Sequence, residues 1–224
     1  MTFPLMPVEG PPELPSPTIT YTDVAGSSSN TFTYTFNSRA IGTASSGRLV
    51  VVCAMINAVS STTYGISSIT INGLSTTIAA SSSLGKNSVI AYRLVPTGTT
   101  ANIVVNLSGS GTPGRCVVGL FSVTGYTNAV PEAVSSVYSD TSVASLTVPI
   151  SVSSGAATVA CCYVGNNGTS GASWSSPMNE AFDSLIESTT FTAASSGPLP
   201  RGTTNVVITP PVSIDMSMSV VAWR

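Results

Sequence analysis

The chain of 224 residues has no histidine and only one lysine, Lys86. Without histidine it lacks the commonest general base, the usual transition-metal ligand and every histidine-dependent triad. Charge is scarce: seven Lys plus Arg and nine Asp plus Glu make up 7% of the residues, with a net charge of −2, against about 25% in an ordinary soluble domain. No basic field exists to attract phosphate backbones, so nucleic-acid binding is excluded. Long apolar runs are missing as well. The longest, Leu49–Ile56, has eight residues, while a membrane-spanning helix needs about 20. Trp174 and Trp223 are the only tryptophans, too few for the aromatic girdles of a transmembrane barrel. Met1–Pro7 has neither a basic stretch nor a continuous apolar core, so no secretory signal is expected and the chain is expected to fold in a cytoplasm.

What the sequence has instead is hydroxyl. Serine and threonine number 67, which predicts a surface of hydroxyl groups in place of charges. The four cysteines, Cys53, Cys116, Cys161 and Cys162, each lie within an apolar run and never at Cys-x-x-Cys spacing. They read as buried, reduced thiols that behave as small hydrophobes.

From Thr18 onward the pattern has period two and is broken by Ser, Gly and Asn clusters, the signature of β-strands. Thr31–Phe36 alternates three threonines with three aromatics and predicts a strand with one wet face. Leu49–Ile56 and Cys116–Phe121 are apolar on both faces and predict strands covered on both sides, by a second layer or a neighbouring subunit. Asn72-Gly73 predicts a tight hairpin, and Val95-Pro96-Thr97-Gly98 a second connection. Met178–Glu187 fits either a helical or a period-two pattern; the strand reading is preferred. The fold class that follows is all-β, an antiparallel jelly-roll-like sandwich over residues 19–224, preceded by an extended Pro-rich arm over residues 1–18. In that arm Pro4, Pro7, Pro11, Pro12, Pro15 and Pro17 exclude helix and central strand. Phe3, Leu5, Met6 and Val8 are its candidate docking anchors for a neighbouring subunit or partner.

No catalytic, metal or cofactor site is expected. Glu180, Asp183 and Glu187 lack the spacing of a calcium loop and read as a solvated edge. Lys86, between Gly85 and Asn87, reads as a solvated turn charge, and Asp140 and Asp215 stand alone. There is no Gly-x-Ser-x-Gly elbow. Trp174, in a Ser- and Gly-rich stretch, is the candidate aromatic platform for a sugar, with Tyr126 and Tyr138 behind it.

Gly47-Arg48-Leu49-Val50-Val51-Val52, Ile69-Thr70-Ile71-Asn72-Gly73, Ile90–Thr100 and Val117–Gly125, with the closing Val220-Val221-Ala222-Trp223-Arg224, together resemble a β-sandwich domain of structural proteins from tailed bacteriophages and gene transfer agents. The resemblance covers roughly residues 30–224 and rests on strand and turn patterns. It implies a non-enzymatic virion component, a head decoration, spike or fibre protein, made in the host bacterial cytoplasm. The implied partners are other virion proteins, namely capsid, neck or tail subunits, and further copies of the chain, a trimer being the favoured oligomer. The alternative is a carbohydrate-binding adhesin module that recognises host-surface glycan. Neither reading involves nucleic acid or membrane insertion.

Overall fold

The computed structural model describes residues 15–58, 65–82, 86–166, 168 and 171–224. The arm anchors Phe3, Leu5, Met6 and Val8 lie outside the described residues. Among the described residues there are seventeen strands: β1 Thr18–Ser27, β2 Thr33–Ala40, β3 Leu49–Ala58, β4 Gly65–Ile71, β5 Leu74–Ser75, β6 Thr77–Ser81, β7 Lys86–Leu94, β8 Thr100–Ser108, β9 Pro113–Thr124, β10 Ala133–Val143, β11 Leu146–Val152, β12 Ala156–Asn166, β13 Ser173–Trp174, β14 Asn179–Ile186, β15 Thr189–Leu199, β16 Gly202–Thr209 and β17 Ile214–Trp223. All their pairings are antiparallel, and no helix occurs among the described residues. The protein is an all-β sandwich, as the alternation predicts.

The strands form four sheets. A first outer sheet has the order β2-β8-β4-β5, and a first inner sheet the order β1-β9-β3-β7-β6. A second inner sheet runs β10-β17-β12-β15-β14, and a second outer sheet β11-β16-β13. Three apolar cores lie between the four layers. Tyr34, Phe36, Ile103 and Val105 of the first outer sheet meet Val50, Val52 and Val118 of the first inner one. The opposite face of that inner sheet, with Leu49, Val51, Cys53 and Met55, meets Val159, Cys161, Tyr163 and Trp223 of the second inner sheet. Ala160, Cys162, Met216 and Met218 then face Val148, Ile150, Val206 and Ile208. Both inner sheets are covered on both sides, which explains why β3 and β9 show no alternation.

The two halves repeat one plan. Matching β1, β2, β3, β7, β8 and β9 to β10, β11, β12, β15, β16 and β17 makes the two inner sheets share one strand order and the outer sheets start alike. The register agrees. Cys53 sits opposite Gly119 and Ile90, and its counterpart Cys161 opposite Ser219 and Ala193. Because corresponding positions of both halves point into the middle core, the halves meet through the same face, as the two sides of a two-fold interface do.

Local chemistry follows the predictions at the turns. Asn72 and Gly73 have φ of 50° and 76°, the left-handed pair that a two-residue hairpin needs, and Ile71 pairs with Leu74 across it. Within Met178–Glu187, residues Asn179–Ile186 form strand β14. Two long strands, β10 and β15, do not stand out in the sequence. β15 (TTFTAASSGPL) is buried on both faces with small and hydroxyl-bearing residues, so alternation is absent, while β10 is an edge strand with a break in register between Ser139 and Val143.

Candidate functional site

Two of the three ion pairs among the described residues join the two halves. At one end of the middle core, β7 presents Lys86 and β17 presents Asp215; the Lys86 Nζ donates to Asp215 Oδ2, with side chains 34% and 18% exposed. The same ammonium lies 5.9 Å from the ring centroid of Tyr163 on β12, within the range of a cation–π contact. Tyr163 is buried, and its phenol donates to Asn57 Oδ1 at 3.4 Å. Asn57 in turn donates through Nδ2 to Thr189 Oγ1 at 2.9 Å. Arg115 donates to Glu187 Oε2 and, at 3.5 Å, to Thr189 Oγ1. Lys86, Asn57 and Arg115 belong to the first half; Asp215, Tyr163, Thr189 and Glu187 belong to the second.

The electrostatics of this cluster are those of a lock. Burial pushes the Tyr163 phenol far above its usual range, and the nearby Asp215 adds to that. Tyr138, on β10 beside the Lys86–Asp215 pair, is likewise raised by burial, with Lys86 opposing. These phenols stay neutral at any physiological pH, and each cation of the cluster has a carboxylate beside it.

Lys86 is therefore not the solvated turn charge that its Gly and Asn neighbours suggest. It opens a strand and bridges the halves, because its partner lies 129 positions away in sequence. Glu187 stays at the solvated edge, its side chain 55% exposed, and pairs there with Arg115. Asp183 accepts from the Gly171 amide at 2.8 Å, and Glu180 is exposed, its carboxyl raised by partial burial and by Asp183. These three acids do not converge, and among the described residues no group of three His, Cys, Asp or Glu can hold a metal ion.

Trp174 packs half-buried against the second outer core, and its indole N–H donates to Thr192 Oγ1 at 2.9 Å. The ring's one polar handle is thus used internally. A different aromatic sits in the setting that a sugar prefers. Tyr21 is 37% exposed and borders a groove of about 480 Å³ with Thr20, Thr22, Thr43, Ser45 and Ser122. Its ring is held by Phe121 and Phe182, at centroid distances of 5.7 and 5.8 Å. Nothing in the sequence marks it, because Tyr21 lies in an ordinary alternating strand and its hydroxyl neighbours come from three separate segments.

Arg48 is the one fully buried cation, and it has no carboxylate partner. Its guanidinium donates to the carbonyls of Val95 at 2.9 Å, Gly42 at 2.5 Å, and Thr97 and Gly98, both at 2.9 Å. One side chain thereby fixes the Val95–Gly98 connection against the start of β3.

Comparison with protein families, curated proteins and solved structures returned no match to this chain. Residue roles therefore rest on its own geometry.

Proposed function

We propose that this chain is a non-enzymatic structural protein of a tailed-phage-type particle, a head decoration, spike or fibre component that presents its stacked sandwiches at the particle surface. The observation that carries the reading is the character of the two outer faces. On one, Thr33, Thr35, Asn102, Asn106 and Ser68 point away from the core; on the other, Thr147, Ser151, Thr203 and Asn205 do so. They are tied across strands, Thr33 Oγ1 to Asn106 Oδ1 at 3.1 Å, Asn106 Nδ2 to Ser68 Oγ at 3.0 Å, and Ser151 Oγ to Thr203 Oγ1 at 2.9 Å. Faces paved with uncharged hydroxyls and amides bring many copies close together without the like-charge repulsion that a highly charged surface builds up. The inner-sheet and outer-sheet orders of each half also support reading it as a jelly roll, so that the chain is two such units in tandem.

The test is mass spectrometry of purified particles from the source. The polypeptide is expected at a copy number comparable to the other structural proteins, and its absence overturns the reading.

A second reading, a glycan-binding adhesin, is favoured by the Tyr21 groove, where an exposed ring and several hydroxyl groups meet. Glycan-array binding lost in Tyr21→Ala and kept in Trp174→Ala would place that activity in the groove. A silent array removes it.

A further inference from the structure

Each of the four sheets ends in two edge strands, and all but one of these edges carry a feature that discourages a further strand from adding. β5 and β13 have two residues each. β6 has five, with a register shift between Ile78 and Ala80. β11 holds Pro149 at its centre, and proline has no amide to donate. β1 breaks register between Tyr21 and Asp23, β2 between Phe36 and Arg39, and β14 between Glu180 and Phe182, and each places a charged side chain at the break.

β10 is the exception. Ala133–Ser139 runs in unbroken register against Met216–Ala222 of β17 and contains no charge, proline or glycine. Its register shift and its one acid, Asp140, come only after Ser139. Among the described residues β10 pairs with no strand but β17, so alternate amides and carbonyls along its other edge face away from the sheet. None of its 11 residues is fully buried, and Val134 is 52% exposed. The counterpart in the first half, β1, is blunted by its bulge and by Asp23, whose carboxylate holds Arg39 of β2. The two edges thus share one place in the plan and differ in their residues.

An open edge of this kind takes up an extended strand through backbone hydrogen bonds, and the segment suits a copy of itself. Antiparallel pairing of two identical copies about Ser136 sets Val134 of each beside Tyr138 of the other, a β-branched and aromatic pair on one face, and Ser135 beside Val137 on the opposite face. No charges meet within Ala133–Ser139. Just outside it, Asp140 of one copy comes opposite Glu132 of the other, but the Glu132 carboxylate already accepts from the Ser153 amide at 3.0 Å and the Ser153 hydroxyl at 2.6 Å.

We propose that β10 is the interface of a two-fold dimer, in which Ala133–Ser139 of two copies pair antiparallel and join their second inner sheets into one continuous sheet. Both copies contribute the same edge, so the contact closes at two and leaves no edge of this kind open. The dimer goes beyond the reading of the chain as a particle component and does not rest on it.

The test is sedimentation velocity of the full-length chain with variants at Ser136, an exposed position at the centre of the pairing. The wild type is expected to be a concentration-dependent dimer. Ser136→Lys and Ser136→Asp each set like charges opposite one another and are expected to raise the dissociation constant by at least about fivefold, with unchanged circular dichroism. An equimolar mixture of the two is expected to associate about as tightly as the wild type, because the facing charges then attract; that recovery separates a lost contact from a damaged fold. Amide hydrogen exchange is expected to slow in Ala133–Ser139, and not in β1, as the wild-type concentration rises through the Kd. A wild type still monomeric at about 100 μM, variants that associate as the wild type does, a mixture no tighter than either variant alone, or protection that rises elsewhere and not in Ala133–Ser139 each overturns the proposal.

Discussion

Cys53 and Cys161 occupy corresponding positions in the two halves and meet thiol to thiol across the middle core. Both are fully buried, as are Cys116 and Cys162, and all four are free. Burial raises the thiol pKa of Cys53, Cys116 and Cys162 above the ordinary range, and in Cys53 and Cys162 the neighbouring Cys161 adds to it. A raised folded-state pKa contributes stability that is fully present below the unfolded thiol value, about 8.5, and is lost as pH rises from there towards the folded value. Each such group withdraws up to about 1.4 kcal/mol per pH unit in that window. The urea midpoint is therefore expected to hold level between pH 6 and 8 and to fall steeply between pH 8.5 and 10, with a shallower fall in Cys116→Ala. A midpoint indifferent to pH over that range contradicts this. Thiol labelling should find no reactive group in the native protein and four after denaturation without reductant.

Arg48 joins β3 to the Val95–Gly98 connection through four carbonyls and no acid. Removing it takes a charged donor from four carbonyls, two in the half-buried Gly42 and Val95 and two in the exposed Thr97 and Gly98, and a hydrogen bond to a charged group is worth about 1.5–3 kcal/mol. Arg48→Met is expected to destabilise the protein by about 3 kcal/mol or more, and Arg48→Lys, with one ammonium for a planar fork, by less. Equilibrium urea unfolding measures both, and a loss below about 1 kcal/mol in Arg48→Met would mean that water replaces the guanidinium.

The class of the fold was legible because outer strands such as Thr33–Ala40 keep one wet face, and period two survives there. The Asn72-Gly73 turn was legible because its backbone angles demand those residues. The stack of four layers was harder to see, since a strand apolar on both faces looks alike whether a subunit or a second half covers it. The repeat nevertheless leaves traces. Val95-Pro-Thr-Gly-Thr-Thr100 recurs as Leu199-Pro-Arg-Gly-Thr-Thr204, and Ser46-Gly47 with Val51 and Cys53 recurs as Ser154-Gly155 with Val159 and Cys161. The Lys86–Asp215 and Arg115–Glu187 pairs were invisible for a different reason: each partner lies in the other half, and a lone charge in a serine-rich stretch carries no sign of what it will face. Trp174 stands out by residue type alone, while the Tyr21 groove assembles from three segments that only the fold brings together.

Gly119 and Phe182 fix how closely the halves approach. A Cβ built on Gly119 of β9 would stand 2.3 Å from Cε1 and 2.6 Å from Cζ of the Phe182 ring on β14. The Cε1–Cζ edge of the ring thus sits against bare backbone, and Tyr21 packs against the same ring at 5.8 Å. No rotation of a buried phenylalanine hemmed in by Tyr21 and β9 frees enough room for a methyl group, so Gly119→Ala forces the edge of the second inner sheet outward. Overpacking of this kind costs about 1–3 kcal/mol. Gly119→Ala is expected to lower stability by that amount, and Phe182→Leu by a comparable amount through the lost ring contacts. The double variant is expected to recover at least about 1 kcal/mol relative to additivity, because the leucine vacates the space that the new methyl needs. A double-mutant cycle by urea unfolding measures the coupling, and strictly additive losses would show that β9 absorbs the methyl without help from β14.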